Sequence, residues 1–449
     1  MKALLGCNAD RISNLPHDVM QRIITFLPVK DAAKTAALSK QWRHNWGATT
    51  QLVFDAHFGR ISKEGNYDSN VSRLMLQIYK ALLVHDGPIT KFVLEIPGLR
   101  RPSPDINHMV QFLAKKGVHE LTLIFDDDEV NNGQTKVGRE MPSSLFSARQ
   151  LSFLKMRNCD FSWAPSWFLG FTKLTHLWLV SVNVDSSFYD DFLPKCPLLE
   201  HLTLGVRDSN AIESCLKAEL VAPSLKFLAS NVWNICFKHT PLLSVVSIEP
   251  LYEDYTQCDF RVYDPDIAAV FASLPAIQHL SVGGEWLQFF ASGTIPSMLP
   301  THLRQLTLLE VASIELNSSL EARVLLCLIM SSPNLQRLRI WVGFKCLIEP
   351  SDAHSFRPTK FIDSLQLLIE AEDFPPASYF QCLEEFDMYG CDGAQVELDL
   401  VRLVLTSAPR LRRVFLTMEE DLDYQEGFEF LTKVTRYKRA STEAEVICV

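Results

Sequence analysis

The sequence lacks the motifs by which most enzymes and metal proteins are identified. It contains no Gly-x-x-x-x-Gly-Lys-Ser/Thr phosphate loop, no Gly-x-Ser-x-Gly elbow and no His-Glu-x-x-His zinc pair. Its 12 histidines are scattered, without the close pairing that metal ligands show. The acidic run Asp126-Asp127-Asp128-Glu129 lacks the spacing of a calcium loop and is predicted to be a solvated loop. We therefore expect no catalytic centre, no metal and no cofactor.

Paired cysteines are also absent. The 11 cysteines stand singly and none forms a Cys-x-x-Cys motif. An odd number of unpaired cysteines is typical of reduced thiols, which predicts a cytoplasmic or nuclear protein. Most of these residues are expected to be small buried hydrophobic side chains.

Long hydrophobic runs and an excess of positive charge are missing as well. No run approaches the roughly 18 apolar residues that a membrane span requires. Only six residues precede Cys7, too few for the apolar region of a signal peptide. A net charge of −10 disfavours binding to a phosphate backbone. Neither a membrane nor a nucleic acid is therefore an expected partner.

The chain does contain a short phrase, apolar-x-x-apolar-x-apolar, repeated about a dozen times. Alternating apolar residues predict a strand with one buried face, and a series of such strands indicates leucine-rich repeats. Each repeat leaves its core open until a neighbour stacks on it. The phrases are Ile89/Phe92/Leu94, Val118/Leu121/Leu123, Leu151/Leu154/Met156, Leu174/Leu177/Leu179, Leu199/Leu202/Leu204, Leu243/Val246/Ile248, Ile277/Leu280/Val282, Leu303/Leu306/Leu308, Leu335/Leu338/Ile340, Leu383/Phe386/Met388 and Leu411/Val414/Leu416, with a degraded copy at Leu225/Leu228 in which Ser230 replaces the third apolar residue.

Helix-like stretches lie between these phrases, and several lead through a proline into the next strand. Helices are predicted over 106–116, 187–193, 266–274, 320–331 and 396–407. Strand, helix and proline in regular alternation predict a parallel sheet with helices outside it. The expected fold class is α/β: a curved solenoid with its strands on the concave face. The interval from Phe344 to Pro376 is irregular and is predicted to hold an inserted loop and one further strand.

The chain begins differently, with a small helical bundle between Asp10 and Asp55. Pro16 suits the start of a first helix, which Pro28 should end. Asp31 is the expected N-cap of a second helix over 32–38, and Ser39 of a third. About forty residues cannot bury all the apolar side chains of this segment. The surplus either packs on the rest of this chain or faces a partner.

Two segments carry a resemblance to a known family. Leu15-Pro16-x-Asp18, Leu27-Pro28-x-Lys30-Asp31 and Leu38-Ser39-x-x-Trp42-Arg43 resemble an F-box in the form common in plants. The tail, from CLEEFDMYGCDG at 382–393 to Lys438-Arg439-Ala440-Ser441, resembles the FBD domain of plant F-box proteins. With the repeats, the chain resembles an F-box/FBD/LRR-repeat protein. This implies an F-box at 8–55, a linking strand and helix at 56–88, repeats at 89–374 and an FBD cap at 375–449.

The resemblance implies a non-catalytic role. Proteins of this family hold a target for an SCF-type (Skp–cullin–F-box) ubiquitin ligase, so the expected partners are a Skp-type adaptor, through it a cullin, and an unknown target protein. Trp46, Leu52 and Phe54 are expected to join the bundle to the repeats. The predicted adaptor surface is Leu15, Pro16, Ile23, Ile24, Leu27, Val29, Leu38 and Trp42.

The residues between the buried strand positions should point to the open face of the sheet. Large aromatic residues and arginines there are typical of binding hot spots. A register error of one residue would turn them inward instead. The predicted target-binding residues are His176, Trp178, His201, Phe227, His279, Arg337, Arg339, Trp341 and Tyr389.

Two other functions remain open from the sequence. A scaffold would bind a partner through the repeats without joining a ligase. A ligand sensor would hold a small hormone or an inositol phosphate, as some plant F-box repeat proteins do. The phosphate would need a ring of basic side chains on the concave face. Here that face offers Lys155, Arg157, Arg337, Arg339 and Arg413, far apart in sequence.

Overall fold

The fold was analysed on a computed structural model, in which the chain divides into two compact units, residues 1–215 and 216–449. The structure describes residues 12, 15–61, 66–99, 104–126, 141–160, 165–207, 219–232, 235–249, 265–316, 318–343, 380–419 and 424–449. The predicted loop at 126–138, except Asp126, and the predicted insertion at 344–376 lie outside these residues.

The N-terminal unit opens with the predicted bundle of three short helices. They are α1 (His17–Phe26), α2 (Val29–Thr35) and α3 (Lys40–Gly47). Pro16 precedes the first helix, as expected, and the Ser39 hydroxyl accepts a bond from the backbone N–H of Trp42 at 3.3 Å. The prediction for the second helix was wrong at its start. Pro28 takes the N-cap position, because its fixed φ suits a helix entrance, and Asp31 lies inside the first turn, 2.7 Å from Lys34.

Six parallel strands follow the bundle in the N-terminal unit. They are β1 (Gln51–Phe54), β2 (Lys91–Glu95), β3 (Glu120–Ile124), β4 (Phe153–Arg157), β5 (His176–Val182) and β6 (His201–Val206), each paired with its neighbours in sequence order. Helices α4 (Tyr67–Leu83) and α5 (Pro104–Lys115) cross from β1 to β2 and from β2 to β3. Alternate strand residues such as Leu154 and Met156 are buried, as the repeated phrase predicts.

The bundle and the sheet share one core. Strand β1 pairs with β2, and its Leu52 and Phe54 are fully buried. Each such side chain contributes about 2–3 kcal/mol by leaving water. Trp46 of α3 is also buried and contacts His85, just beyond α4, through an edge-to-face ring contact. The expectation that Trp46, Leu52 and Phe54 join the bundle to the repeats is confirmed.

The C-terminal unit contains a second run of parallel strands. Its strands β8 (Phe227–Ser230), β10 (Val245–Ile248), β11 (His279–Gly283), β12 (Leu308–Ile314), β13 (Arg337–Val342), β14 (Glu385–Cys391), β15 (Arg413–Met418) and β16 (Glu445–Cys448) pair in that order. The short strands β7 (Glu219–Val221) and β9 (Cys236–His239) pair with each other.

Helices link the strands of this unit. They are α6 (Ile267–Ala272), α7 (Gly284–Ala291), α8 (Ser319–Met330), α9 (Gln395–Ser407) and α10 (Tyr424–Arg436). Helix α10 and strand β16 close the tail that was predicted to form an FBD cap. Helix α7 was not predicted, because Gly283-Gly284 reads as a break. A Cβ at Gly284 would meet the Ser313 carbonyl oxygen at 2.3 Å, so the position needs glycine to start a helix against β12.

The predicted register of β12 was wrong. Leu280 of β11 aligns with Leu309, so the buried phrase is Leu306/Leu309/Val311 and not Leu303/Leu306/Leu308. Leu303 and Leu308 are buried too, so the apolar pattern of this stretch fits either register. The corrected register places Glu310 on the open face of the sheet.

One of the predicted helices is replaced by two tighter or wider turns. The segment predicted as a helix over 187–193 forms a π-helical turn, Phe188–Phe192, followed by a 3₁₀ turn, Leu193–Lys195. Phe168, Phe171 and Phe188 pack around Phe192, with ring centroids 5.4–6.0 Å apart. These rings form a buried aromatic cluster beside the turn.

Candidate functional site

One side of the N-terminal bundle is apolar and exposed. Val19, Ile23 and Phe26 recur at the spacing of one helix face and are 42%, 36% and 78% exposed. Leu38, at the end of the α2 turn, is 59% exposed. We call Val19, Ile23, Phe26 and Leu38 the N-terminal apolar face. Exposed apolar residues that gather on one element mark an interaction surface more often than scattered ones do.

The predicted adaptor residues divide into two groups. Ile23, Leu38 and Pro16 are exposed, and Leu15 and Leu27 are half-buried. Ile24, Val29 and Trp42 are at most 6% exposed and lie inside the bundle in this chain.

The buried group forms the centre of the bundle. Met20 and Ile24 share the inward side of α1, and the Trp42 indole N–H donates to the Ile12 carbonyl at 3.2 Å. Phe26 is the most exposed member of the N-terminal apolar face, and the sequence analysis missed it. The signal was present, since Val19, Ile23 and Phe26 are spaced at i, i+4 and i+7.

The open face of the N-terminal sheet carries a row of rings. The imidazoles of His176 and His201 stack with their centroids 4.4 Å apart and their planes 7° apart. The Phe153 ring lies 6.0 Å from His176 on the other side. In the next row, the Lys155 ammonium lies 4.5 Å from the centre of the Trp178 ring. Register brings the predicted residues His176, Trp178 and His201 together, since they align on β5 and β6.

The open face of the C-terminal sheet carries a chain of charged contacts instead. The Arg339 guanidinium lies between two carboxylates, 2.9 Å from Glu310 and 3.3 Å from Asp387. Arg413 donates to both oxygens of Asp387, at 3.0 and 3.1 Å, and reaches Glu385 at 3.2 Å. We call this set, completed by the 2.6 Å contact between His279 and Glu310, the charge ladder.

The pKa values of Glu310, a member of the charge ladder, and of the neighbouring Tyr389 differ from their ordinary values. Hydrogen bonds from His279 and Arg339 hold the pKa of Glu310 below its usual value, against the opposing effect of burial. Burial and the nearby Asp387 carboxylate raise the pKa of Tyr389 above its usual value. Asp387 is only 2% exposed, and both Arg339 and Arg413 bond its carboxylate. The predicted residues His279 and Arg339 are therefore paired within the protein.

The remaining predicted residues lie on the same open face. Trp341 stacks on Tyr389, with centroids 4.9 Å apart and planes 12° apart. Arg337 is exposed at the start of β13, opposite Glu385. Phe227 is half-buried at the start of β8, where it aligns with Val245. Glu310 and Glu249 also belong to this face, and the sequence analysis missed both: the first through the register of β12, the second because it follows the last residue of β10.

The described residues show neither a metal centre nor a membrane span. Nowhere in these ranges do three histidine, cysteine or acidic side chains converge as metal ligands would. None of the helices in the same ranges is both long and apolar enough to cross a bilayer. The chemistry that this arrangement offers is recognition through exposed apolar, aromatic and charged side chains.

Comparisons with known proteins agree with this arrangement. The sequence model of the F-box domain matches residues 12–46, and that of the LRR repeats of the FBD-associated F-box protein At5g56370 matches residues 106–340. The chain is 28% identical to the F-box/FBD/LRR-repeat protein At1g13570 of Arabidopsis thaliana, over 99% of both chains. It is 24% identical to the FBD-associated F-box protein At4g10400 of the same plant, over 97% of this chain and 99% of the other. With an F-box bundle, stacked parallel strands and full-length relatives, this chain belongs to the plant F-box/FBD/LRR-repeat family.

Proposed function

We propose that this protein is the target-recognition subunit of an SCF-type ubiquitin ligase. Its F-box binds a Skp-type adaptor, which links it to a cullin, and its repeats hold a target protein. The observation that carries the proposal is the N-terminal apolar face, because Ile23, Phe26 and Leu38 remain exposed after the bundle has packed on the sheet. A folded bundle that leaves these side chains in water is stabilised when a partner covers them.

The subunit does no chemistry of its own in this proposal. It raises the concentration of the target near a ubiquitin-loaded enzyme, so the rate gain comes from proximity. The open sheet faces, with the His176–His201 stack and the Trp341–Tyr389 stack, supply aromatic contact surface for the target. The proposed location is the cytoplasm, the nucleus or both.

The ligand-sensor alternative is weakened by the charge ladder. An inositol phosphate needs basic side chains that are free to bind its phosphates. Arg339 and Arg413 already bond Glu310, Asp387 and Glu385. A bound phosphate would have to displace these carboxylates and would meet their negative charge.

Adaptor binding tests the proposal directly. Phe26→Asp and Ile23→Asp place a charge in the apolar contact and should weaken co-purification with a Skp-type adaptor at least tenfold. Leu15→Ala with Pro16→Ala should weaken adaptor binding less, because Leu15 is already half-buried in this chain and offers less surface to the adaptor. The matched control is Leu76→Asp, a 54% exposed leucine on α4 outside the N-terminal apolar face. If Phe26→Asp binds the adaptor as the unchanged chain does, the ligase role is wrong and a scaffold role takes its place.

Target capture tests the second part of the proposal, that the repeats hold a target protein. A chain that carries both Ile23→Asp and Phe26→Asp keeps the buried core of the bundle and the repeats but should no longer hold the adaptor. In proximity labelling it should accumulate targets that the full chain passes on for degradation. Proteins labelled by this version should also rise in abundance when the full chain is depleted, and a set that does not rise would argue for scaffolding.

A further inference from the structure

A pocket of about 470 Å³ opens on the C-terminal sheet, where β12, β13 and β14 end. This volume lies in the range of sites that bind small ligands or single side chains. The pocket is lined by aromatic, small and acidic residues. Those that matter here are Glu249, Ser281, Glu310, Trp341, Tyr389 and Gly390.

One wall of the pocket is a flat aromatic surface. Trp341 and Tyr389 are stacked across neighbouring strands, and Trp341 remains 38% exposed. The negative face of an aromatic ring attracts cations, and tryptophan does so most strongly. Planar guanidinium groups combine this attraction with stacking.

The pocket also contains two carboxylates with different surroundings. Glu310 belongs to the charge ladder, where His279 and Arg339 bond its two oxygens. Glu249 accepts a hydrogen bond from the Ser281 hydroxyl on one oxygen. Among the described residues no basic side chain pairs with Glu249, so its charge is free to meet a ligand.

The strand ends keep the mouth of the pocket open. Ser313, Gly343 and Gly390, one at the end of each strand, adopt left-handed conformations with φ of 56°, 61° and 71°. A Cβ at Gly390 would lie 3.0 Å from the Val342 carbonyl oxygen. Small residues are needed at this turn, and they leave room beside the aromatic wall.

We infer that this pocket binds a cationic side chain, an arginine, presented by the target protein. Inside this pocket a guanidinium is offered the Trp341 ring for a cation–π contact and the second oxygen of Glu249 for a charge-assisted hydrogen bond. An acidic or phosphorylated side chain would meet two carboxylates. An apolar one would bury Glu249 without a partner, which is unfavourable. The inference rests on the proposed function, in which the open sheet face holds the target.

The test uses the full chain purified with its adaptor. The probe is a glycine–serine decapeptide with one central arginine, compared with the same peptide carrying citrulline, which keeps the shape and removes the charge. Ligand-observed NMR titration should show the arginine peptide binding at least about fivefold more tightly than the citrulline peptide. Glu249→Gln, which keeps the acceptor for Ser281, and Trp341→Leu should each remove that preference.

Matched controls separate the pocket from general surface effects. Trp167→Leu changes a tryptophan that is 51% exposed in the N-terminal unit, and Glu443→Gln changes an exposed glutamate near the C-terminus. Both should leave the arginine preference unchanged, and unchanged thermal midpoints should show that all four variants are folded.

Three results overturn the inference: equal binding of the two peptides, an unchanged preference in folded Glu249→Gln, or no saturable binding of the arginine peptide at millimolar concentration. Adaptor retention, measured on the same samples, reports on the ligase role separately.

Discussion

Trp46 meets the imidazole of His85 edge to face, with ring centroids 5.0 Å apart and planes at 78°. This contact joins the last helix of the F-box to the segment after α4, and both side chains are buried. Lys116 secures the same segment by donating to the carbonyls of His85 and Asp86 at 2.8 and 3.2 Å. The F-box is therefore built into the N-terminal unit and is not an appended module.

His85 should make this junction sensitive to acid. Burial, with a smaller contribution from Lys116, lowers its pKa below the ordinary 6.5, although its bond to Ala81 opposes the shift. As the pH falls below 6.5, His85 becomes protonated in the unfolded chain before it does in the folded chain. The stability of the junction therefore falls. We expect the amide protection factors of residues 78–86, which divide the intrinsic exchange rate at each pH by the observed rate, to be lower at pH 5.5 than at pH 7.5. In His85→Gln this difference should disappear.

Trp42 and Ile23 should separate folding from adaptor binding. Trp42→Ala removes a 2% exposed side chain from the bundle core and should lower its stability by about 3–5 kcal/mol. Ile23→Asp changes a half-exposed position and should cost little stability while weakening adaptor binding. Urea unfolding and adaptor titration on both variants check this, and a Trp42→Ala bundle as stable as the unchanged one would contradict the assignment of Trp42 to the core.

Asp387 should be the member of the charge ladder on which stability depends most. Asp387→Ala leaves Arg339 and Arg413 facing a vacated site and should lower the free energy of unfolding by about 1–3 kcal/mol. The matched control is Glu384→Ala, because Glu384 pairs with Arg412 at 3.7 Å on the exposed surface. Such a pair contributes less than about 1 kcal/mol. Equal losses from the two substitutions in denaturant unfolding would rule out a special role for Asp387.

Glu397 should give the C-terminal unit the opposite pH dependence from His85. Burial, reinforced by Asp392, raises the pKa of Glu397 to about 8, against the bonds it accepts from the backbone of Asp392 and Gly393. Between the ordinary 4.5 and about 8 the folded chain binds a proton that the unfolded chain has lost. Stability therefore falls as the pH rises through this window.

Glu397→Gln removes the titrating group and keeps a carbonyl oxygen for the two backbone donors. The change in unfolding midpoint between pH 6 and pH 8.5 should be smaller in this variant. Glu426→Gln, on the exposed side of α10, provides the control and should behave as the unchanged chain does. A midpoint that falls with rising pH by the same amount in all three proteins would exclude Glu397 as the source.

The cysteines should differ widely in reactivity. Cys236 is free and exposed, whereas burial raises the pKa of Cys196 to about 12 and that of Cys327 to about 11. Because the thiolate is the reactive species, iodoacetamide at pH 7.5 should modify Cys236 in the folded protein well before Cys196 or Cys327. Peptide mass mapping measures the order, and addition of denaturant should abolish it. Faster labelling of Cys196 in the folded chain would contradict its buried position.

The sequence predicts this fold where burial on one face leaves a periodic signal. Leu177 and Leu179 alternate with His176 and Trp178, and the strand, its direction and its open face all follow. The same reasoning gives the wrong register for β12, because Leu303, Leu306 and Leu308 are also buried and match the repeated phrase. In α1, Ile23 and Ile24 are equally apolar, and only the position of α3 decides which one is exposed.

The charge ladder and the pocket depend on contacts that a sequence does not encode locally. Arg339 and Asp387 are 48 residues apart, and they meet because β13 and β14 are neighbours in register. Their identities as open-face residues were predictable, but their mutual pairing was not. The pocket in turn needs Glu249 from beyond β10 beside Trp341 from β13.

The pairing of β1 with β2 has a mechanical consequence. The F-box continues directly into the first strand of the sheet, so a force or torque applied to the N-terminal apolar face is carried by backbone hydrogen bonds between strands. Successive strands lie about 4.8 Å apart, so β6 lies roughly 24 Å along the sheet from β1. In this unit each repeat therefore adds one strand spacing, about 4.8 Å, to the length of the sheet. Inserting or deleting a repeat would move whatever is bound farther along the sheet by a set distance from the N-terminal apolar face.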